Sequence, residues 1–118
     1  MSDPIVHFNG THEALLNRIK EAPGLVLVDF FATWCGPCQR LGQILPSIAE
    51  ANKDVTFIKV DVDKNGNAAD AYGVSSIPAL FFVKKEGNEI KTLDQFVGAD
   101  VSRIKADIEK FKHHHHHH

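Results

Sequence analysis

The sequence predicts an α/β fold: a mixed sheet with helices on both of its faces. Three observations carry this. The run Leu25-Val26-Leu27-Val28-Asp29-Phe30-Phe31-Ala32 is apolar apart from Asp29 and rich in β-branched and aromatic residues. An unalternating run of strand length suits a strand covered on both sides, as in a parallel sheet. Strand-like runs alternate with stretches of helical spacing through the first two thirds of the chain, and two further strand-like runs joined by a short turn precede a closing amphipathic stretch. Alternation followed by a hairpin and a helix implies a sheet with both parallel and antiparallel pairs.

Each element has its own signal. Ile5-Val6-His7-Phe8 reads as a short strand, and Asn9-Gly10-Thr11 as a turn that supplies a helix cap. Leu15, Leu16 and Ile19 then recur at helical spacing until Pro23-Gly24 stops the helix. Beyond the apolar run, Leu41, Ile44, Leu45 and Ile48 are expected on one face of a helix. Val55 to Val60 reads as a strand, and Ala68 to Tyr72 as a short helix closed by Gly73. Ala79 to Val83 and Ile90 to Phe96 read as strands joined through Glu86-Gly87-Asn88, a loop short enough for a hairpin. Asp100 caps a last helix whose apolar face is Val101, Ile104, Ile108 and Phe111.

Composition narrows the functional classes. Hydrophobic residues make up 43% and charged residues 24% of the 118, the balance of an ordinary globular protein. The closing run His113 to His118 reads as a purification tag rather than a metal-sensing tail, leaving residues 1–112 as a single domain. A net charge of −2 gives no basic field for nucleic acid or an anionic membrane surface. The longest apolar stretch is far too short to span a bilayer and contains Asp29. Met1-Ser2-Asp3-Pro4 has no secretory pattern, so the expected location is cytoplasmic, and the sequon Asn9-Gly10-Thr11 then carries no meaning. Outside the closing run, only His7 and His12 could join Cys35 and Cys38 around zinc, and both lie far from the cysteines in sequence. No metal site is expected.

The chemistry concentrates in Trp34-Cys35-Gly36-Pro37-Cys38, between the buried strand and a helix. A helix N-terminus presents unpaired N–H groups and the positive end of the dipole, which stabilise a thiolate and lower its pKa. Two intervening residues let the sulfurs meet in a small ring, and Pro37 fits an opening helical turn where its missing N–H costs little. Cys38, one turn inward, should be the more buried sulfur. In the implied chemistry Cys35 attacks a substrate disulfide, and Cys38 resolves the mixed disulfide. A structural bridge, or two ordinary reduced thiols, would use the same residues; the strand-to-helix junction is what favours redox chemistry. Asp29 is the sole charge in its strand, six residues before Cys35. Burial should raise its pKa and make it a proton acceptor for Cys38, although a structural hydrogen bond or a pair with Lys59 would also account for it.

The segment Val28-Asp29-Phe30-Phe31-Ala32-Thr33-Trp34-Cys35-Gly36-Pro37-Cys38 closely resembles the active-site segment of the thioredoxin family. The resemblance continues through Lys59-Val60-Asp61-Val62-Asp63, Tyr72-Gly73-Val74, Ile77-Pro78 and Phe96-Val97-Gly98-Ala99, in order and at matching spacings. It implies a thioredoxin fold, a five-stranded mixed sheet flanked by four helices, with an exposed, nucleophilic Cys35 resolved by Cys38. It also implies that Asp29 is the proton-transfer carboxyl with Lys59 beside it, and that Pro78 is a cis-proline against the disulfide. Ile77 would offer backbone hydrogen bonds to a substrate segment, while Trp34, Gly36, Pro37, Gly73, Val74, Gly98 and Ala99 would line the docking surface. The implied protein is a monomeric protein-disulfide reductase with no bound cofactor beyond its Cys35–Cys38 disulfide, recharged by an NADPH-dependent thioredoxin reductase. Gly-Pro between the cysteines argues for the reducing end of the range; protein disulfide isomerases usually carry Gly-His there.

Three positions depart from the family pattern. Gln43 stands where a helix-kinking proline is usual, with Pro46 three residues later and Gly42 nearby. Ala79 replaces a threonine common after the cis-proline, and Gln39 replaces a frequent lysine, with Arg40 adjacent. Two rival readings come from other classes. Asp61-Val62-Asp63-Lys64-Asn65-Gly66 imitates the first half of a calcium loop, but Tyr72 falls where the bidentate Glu belongs. A scaffold or subunit built on this fold would need neither cysteine, and both are present.

Overall fold

The computed structural model describes residues 3–112, so the reading of His113 to His118 falls outside the described residues. In chain order the elements are β1 (Ile5–Phe8), α1 (His12–Lys20), β2 (Val26–Phe31), α2 (Gly36–Ala51), β3 (Thr56–Asp61), α3 (Gly66–Ala71), β4 (Ala79–Glu86), β5 (Glu89–Val97) and α4 (Val101–Lys112). The sheet order is β1-β3-β2-β4-β5. β3 pairs in parallel with β1 and β2, whereas β4 pairs antiparallel with β2 and β5. The mixed sheet expected from the pattern is therefore present, with β2 at its centre.

Alternation along each strand separates two core layers. Leu25, Leu27, Phe57, Leu80 and Phe82 pack with Leu41, Leu45 and Ile48 of α2 and with Ile104 and Ile108 of α4. Val26, Val28, Phe30, Ile58 and Val60 pack with Leu15 and Ile19 of α1 and with Ala68 and Ala69 of α3. Because both faces are covered, Val26 through Phe30 are all buried, which is why β2 reads as a run without alternation. Burial of each large apolar side chain stabilises the fold by about 1.5–3 kcal/mol.

The punctuation residues act as expected. Thr11 Oγ1 accepts the Ala14 N–H at 3.1 Å, and Asp100 Oδ1 accepts the Arg103 N–H at 3.0 Å. Gly87, at φ 64°, makes with Asn88 a two-residue hairpin turn that needs a left-handed position.

Some boundaries differ from the expectation. β4 runs on to Glu86 and β5 starts at Glu89, because the antiparallel ladder carries exposed charged residues that show no apolar pattern. α3 begins at Gly66, two residues early, after Asn65 anchors the loop: its Nδ2 donates to the Asp61 carbonyl at 3.0 Å and its Oδ1 accepts the Gly10 N–H at 2.8 Å. Ile44, expected on the core face of α2, is 40% exposed. Leu41, Leu45 and Ile48 centre that face, and Ile44 falls on its rim. α2 passes through Pro46 without a break; proline lacks the N–H that would bond the Gly42 carbonyl. No helix among the described residues is long and apolar enough to cross a membrane.

Candidate active site

β2 delivers the chain to the middle of the sheet, and Ala32, Thr33 and Trp34 carry it to the start of α2. Cys35 is the N-cap residue of α2, Pro37 lies in the opening turn, and the Cα atoms of Cys35 and Cys38 are 5.2 Å apart within a disulfide. The Cys38 N–H donates to Cys35 Sγ at 3.2 Å. The sulfur thus occupies the place of a capping oxygen, where an otherwise orphaned helix N–H would stabilise it as a thiolate.

Cys35 is 6% exposed and Cys38 2%. Their order is as expected, but the first cysteine is less open than the resemblance implies, because Phe31, Val62 and Ile77 pack around the joined pair.

Several distant residues converge on this turn. The Ile77–Pro78 peptide bond is cis, and the Ile77 carbonyl oxygen lies 3.9 Å from Cys35 Sγ. The Gly98 N–H donates to the Pro78 carbonyl at 2.8 Å, which holds the end of the hairpin beside the proline. Trp34 is 69% exposed, and Gly36 and Pro37 are exposed next to it. Trp34, Gly36 and Pro37 are thus exposed around the disulfide, Ile77 and Gly98 are half-buried, and Pro78 is buried between them and bonded to Gly98 through its carbonyl. Ala99, next to Gly98, is half-buried and packs against the α2/α4 core layer, and Val74 is half-buried against the opposite layer. The sequence reading missed two residues here. Asp63 Oδ2 accepts the Trp34 Nε1–H at 2.9 Å, and Val97 is 60% exposed beside Gly98. Only the exposed aliphatic next to a strand-ending glycine could have hinted at the second, and nothing local pointed to the first.

Asp29 and Lys59 are register partners across β2 and β3. Asp29 is fully buried, and neither carboxyl oxygen has a hydrogen-bond partner among the described residues. Burial pushes its pKa up from 3.8 to about 7, against the opposing pull of the Lys59 cation. The structural hydrogen bond weighed for Asp29 is therefore not made, whereas electrostatic coupling to Lys59 is. Lys59 Nζ sits 4.2 Å from the centroid of the Phe31 ring. The Asp61–Gly66 segment is a turn in which Asp61 Oδ1 accepts the Asp63 N–H at 2.9 Å, and the described residues contain no cluster of three or more potential metal ligands.

The thioredoxin family model matches residues 6–110. Thioredoxin-1 of Schizosaccharomyces pombe is 42% identical over 85 residues, covering 72% of this chain and 79% of that protein. The TPR repeat-containing thioredoxin TDX of Oryza sativa is 36% identical over 103 residues, which span 87% of this chain but only 31% of that longer protein. Among solved structures, Fasciola hepatica thioredoxin superimposes with a TM-score of 0.81 at 35% identity, covering 92% of this chain and all of that one. The chain belongs to the thioredoxin family, whose members are thiol–disulfide oxidoreductases, and it carries the cysteine pair that dithiol–disulfide exchange requires.

Proposed function

We propose that this chain is a monomeric, cytoplasmic protein-disulfide reductase, recharged by an NADPH-dependent thioredoxin reductase. The observation that carries the reading is the disulfide at the N-cap of α2 beside the Ile77–Pro78 backbone. In the reduced protein the Cys35 thiolate attacks one sulfur of a substrate disulfide. A Cys35–substrate disulfide forms, and the other substrate sulfur leaves as a thiolate that takes up a proton. Cys38 gives its proton to the Asp29 carboxylate and attacks Cys35 Sγ, which releases the second substrate thiolate and closes the Cys35–Cys38 disulfide. Asp29 then passes that proton to the departing substrate thiolate. The substrate thus gains two electrons from the dithiol and two protons, one from Cys38 by way of Asp29 and one from solvent, while the protein loses two electrons and the Cys38 proton.

In this reading Cys35 is the nucleophile, Cys38 the resolving thiol, Asp29 the proton acceptor and Lys59 the cation that moderates its pKa. Trp34, Gly36, Pro37, Ile77, Pro78 and Gly98 receive an extended substrate segment, Ile77 through its backbone. The resemblance to named thioredoxins supports the assignment of substrate class and recharging partner.

Reduction of insulin disulfides driven by NADPH and thioredoxin reductase tests the reading. Turnover is expected for the wild-type chain and none for Cys35→Ser, while Cys38→Ser should accumulate the mixed disulfide. If the enzymatic system fails but a small dithiol restores turnover, the recharging partner is wrong and the chemistry right. A folded protein silent under both would overturn the assignment.

A further inference from the structure

We infer that Gly42 is a positioning residue: its missing side chain makes the room in which the Lys59 ammonium stands while it acts on Asp29. The backbone of α2 does not call for glycine at this point. Gly10, Gly73, Gly87 and Gly98 have positive φ, and Gly42 does not. Glycine is also the poorest helix former after proline, and Gly42 lies inside a sixteen-residue helix. What distinguishes the position is the space beside it. A Cβ on Gly42 would come within 3.3 Å of Lys59 Nζ, and Gly42 is the only glycine without a positive φ where an added Cβ would be crowded below 3.4 Å. The ammonium is thus held between the Phe31 ring and the backbone of α2, at a cleft of about 460 Å³ lined in part by Phe31, Cys38, Gly42, Gln43 and Lys59.

The groups around Asp29 make that placement consequential. Register sets Lys59 of β3 and the apolar Leu80 of β4 beside Asp29, while Cys38 and Gly42 of α2 line the cleft that Lys59 also lines. Lys59 is the charged group that acts on the Asp29 carboxyl. A methyl at position 42 would push the ammonium back by a few tenths of an ångström, and a larger side chain would displace it further and weaken the pull that opposes desolvation. The carboxyl would then hold its proton to higher pH and accept one from Cys38 less readily. This role deepens the proposed function and rests on it for its catalytic meaning, but the positioning itself is measurable without turnover.

The test is the ¹³C carboxyl titration of Asp29 in the oxidised full chain, where neither cysteine titrates. Gly42→Leu should raise the midpoint by about one pH unit, and Lys59→Met should do the same. The double variant should move no further than either alone. An unmoved midpoint in Gly42→Leu overturns the inference, as does an equal further shift in the Lys59→Met background, which would mean that the leucine acts by added burial. If Gly42→Leu does not fold, Gly42→Ala decides. It should stabilise the helix yet still raise the midpoint by a few tenths of a unit, and no shift there overturns the inference. The pH profile of mixed-disulfide resolution should follow the same displacement. A midpoint that moves while the profile stays fixed would uphold Gly42 and sink Asp29 as proton acceptor.

Discussion

Covering β2 on both faces takes the hydration of Asp29 away, and no hydrogen bond among the described residues replaces it. A carboxyl whose pKa rises from 3.8 to about 7 on folding binds its proton more tightly in the native state. The stability it contributes is complete below about pH 4 and is lost as the pH climbs to about 7, at a cost of about 4 kcal/mol beyond that. Asp29→Asn should therefore gain about 2–4 kcal/mol in urea denaturation at pH 8.5 and almost nothing at pH 4. The same variant should slow mixed-disulfide resolution by about a hundredfold, because the proton acceptor is gone. Asp29 was legible as the one charge in an apolar run, and Lys59 was offered as its partner on the next strand. Asp63 was read within a calcium-loop imitation, since its bond to Trp34 joins residues that only the packing of two separate loops brings together.

The helix starts capped by Thr11 and Asp100 were legible because a capping side chain is a local signal, whereas α3, which has no side-chain cap, starts before its apolar pattern. Thr11→Ala should cost about 1 kcal/mol, measured by urea denaturation, as the Ala14 N–H loses its acceptor. Strand ends were read less well, because a ladder extends by pairing rather than by residue type. The side-chain network that ties β5 to α4 was not legible. Arg103 forks onto Asp94 at 3.0 and 2.8 Å and lies over the Phe96 ring, and Asp94 in turn meets the buried Asp107. Burial, then the adjacent Asp94 carboxylate, pushes the Asp107 pKa up to about 7, while Arg103 and Lys110 pull it down. Arg103 above all holds Asp94 below its ordinary value, so Asp94 is ionised throughout the window in which Asp107 titrates. The stability that Asp107 contributes as a neutral acid is lost between about pH 4 and pH 7. Asp107→Asn keeps a donor facing Asp94 at every pH. It should raise Tm by about 4 °C at pH 8.5 and leave it unchanged at pH 4, read by thermal melts.

Across the whole molecule, two core layers share one sheet, so damage to either reaches the cysteine turn through β2. Phe82 is fully buried in the α2/α4 layer, 6.5 Å from the Phe111 ring. Phe82→Ala should cost about 3–5 kcal/mol, a large share of the about 5–15 kcal/mol that a domain of this kind possesses. Urea denaturation should show it as a lower midpoint with an unchanged slope. The class and the mixed character of the sheet could be read from periodicity alone. Strand order is a long-range outcome that no local run encodes, and it was within reach only through resemblance to a family.

Ile5 pairs with Phe57 near the start of β3, at the opposite end of the strands from Phe31 and the cysteine turn. Lys112 Nζ donates to Asn52 Oδ1 at 2.8 Å, at the far end of a helix about 24 Å long. Both ends of the described chain therefore emerge at the pole away from the sulfurs. A bead, an electrode linker or a fused domain attached at either end would leave the reactive pole facing solution, so immobilisation should preserve access to bulky oxidised proteins.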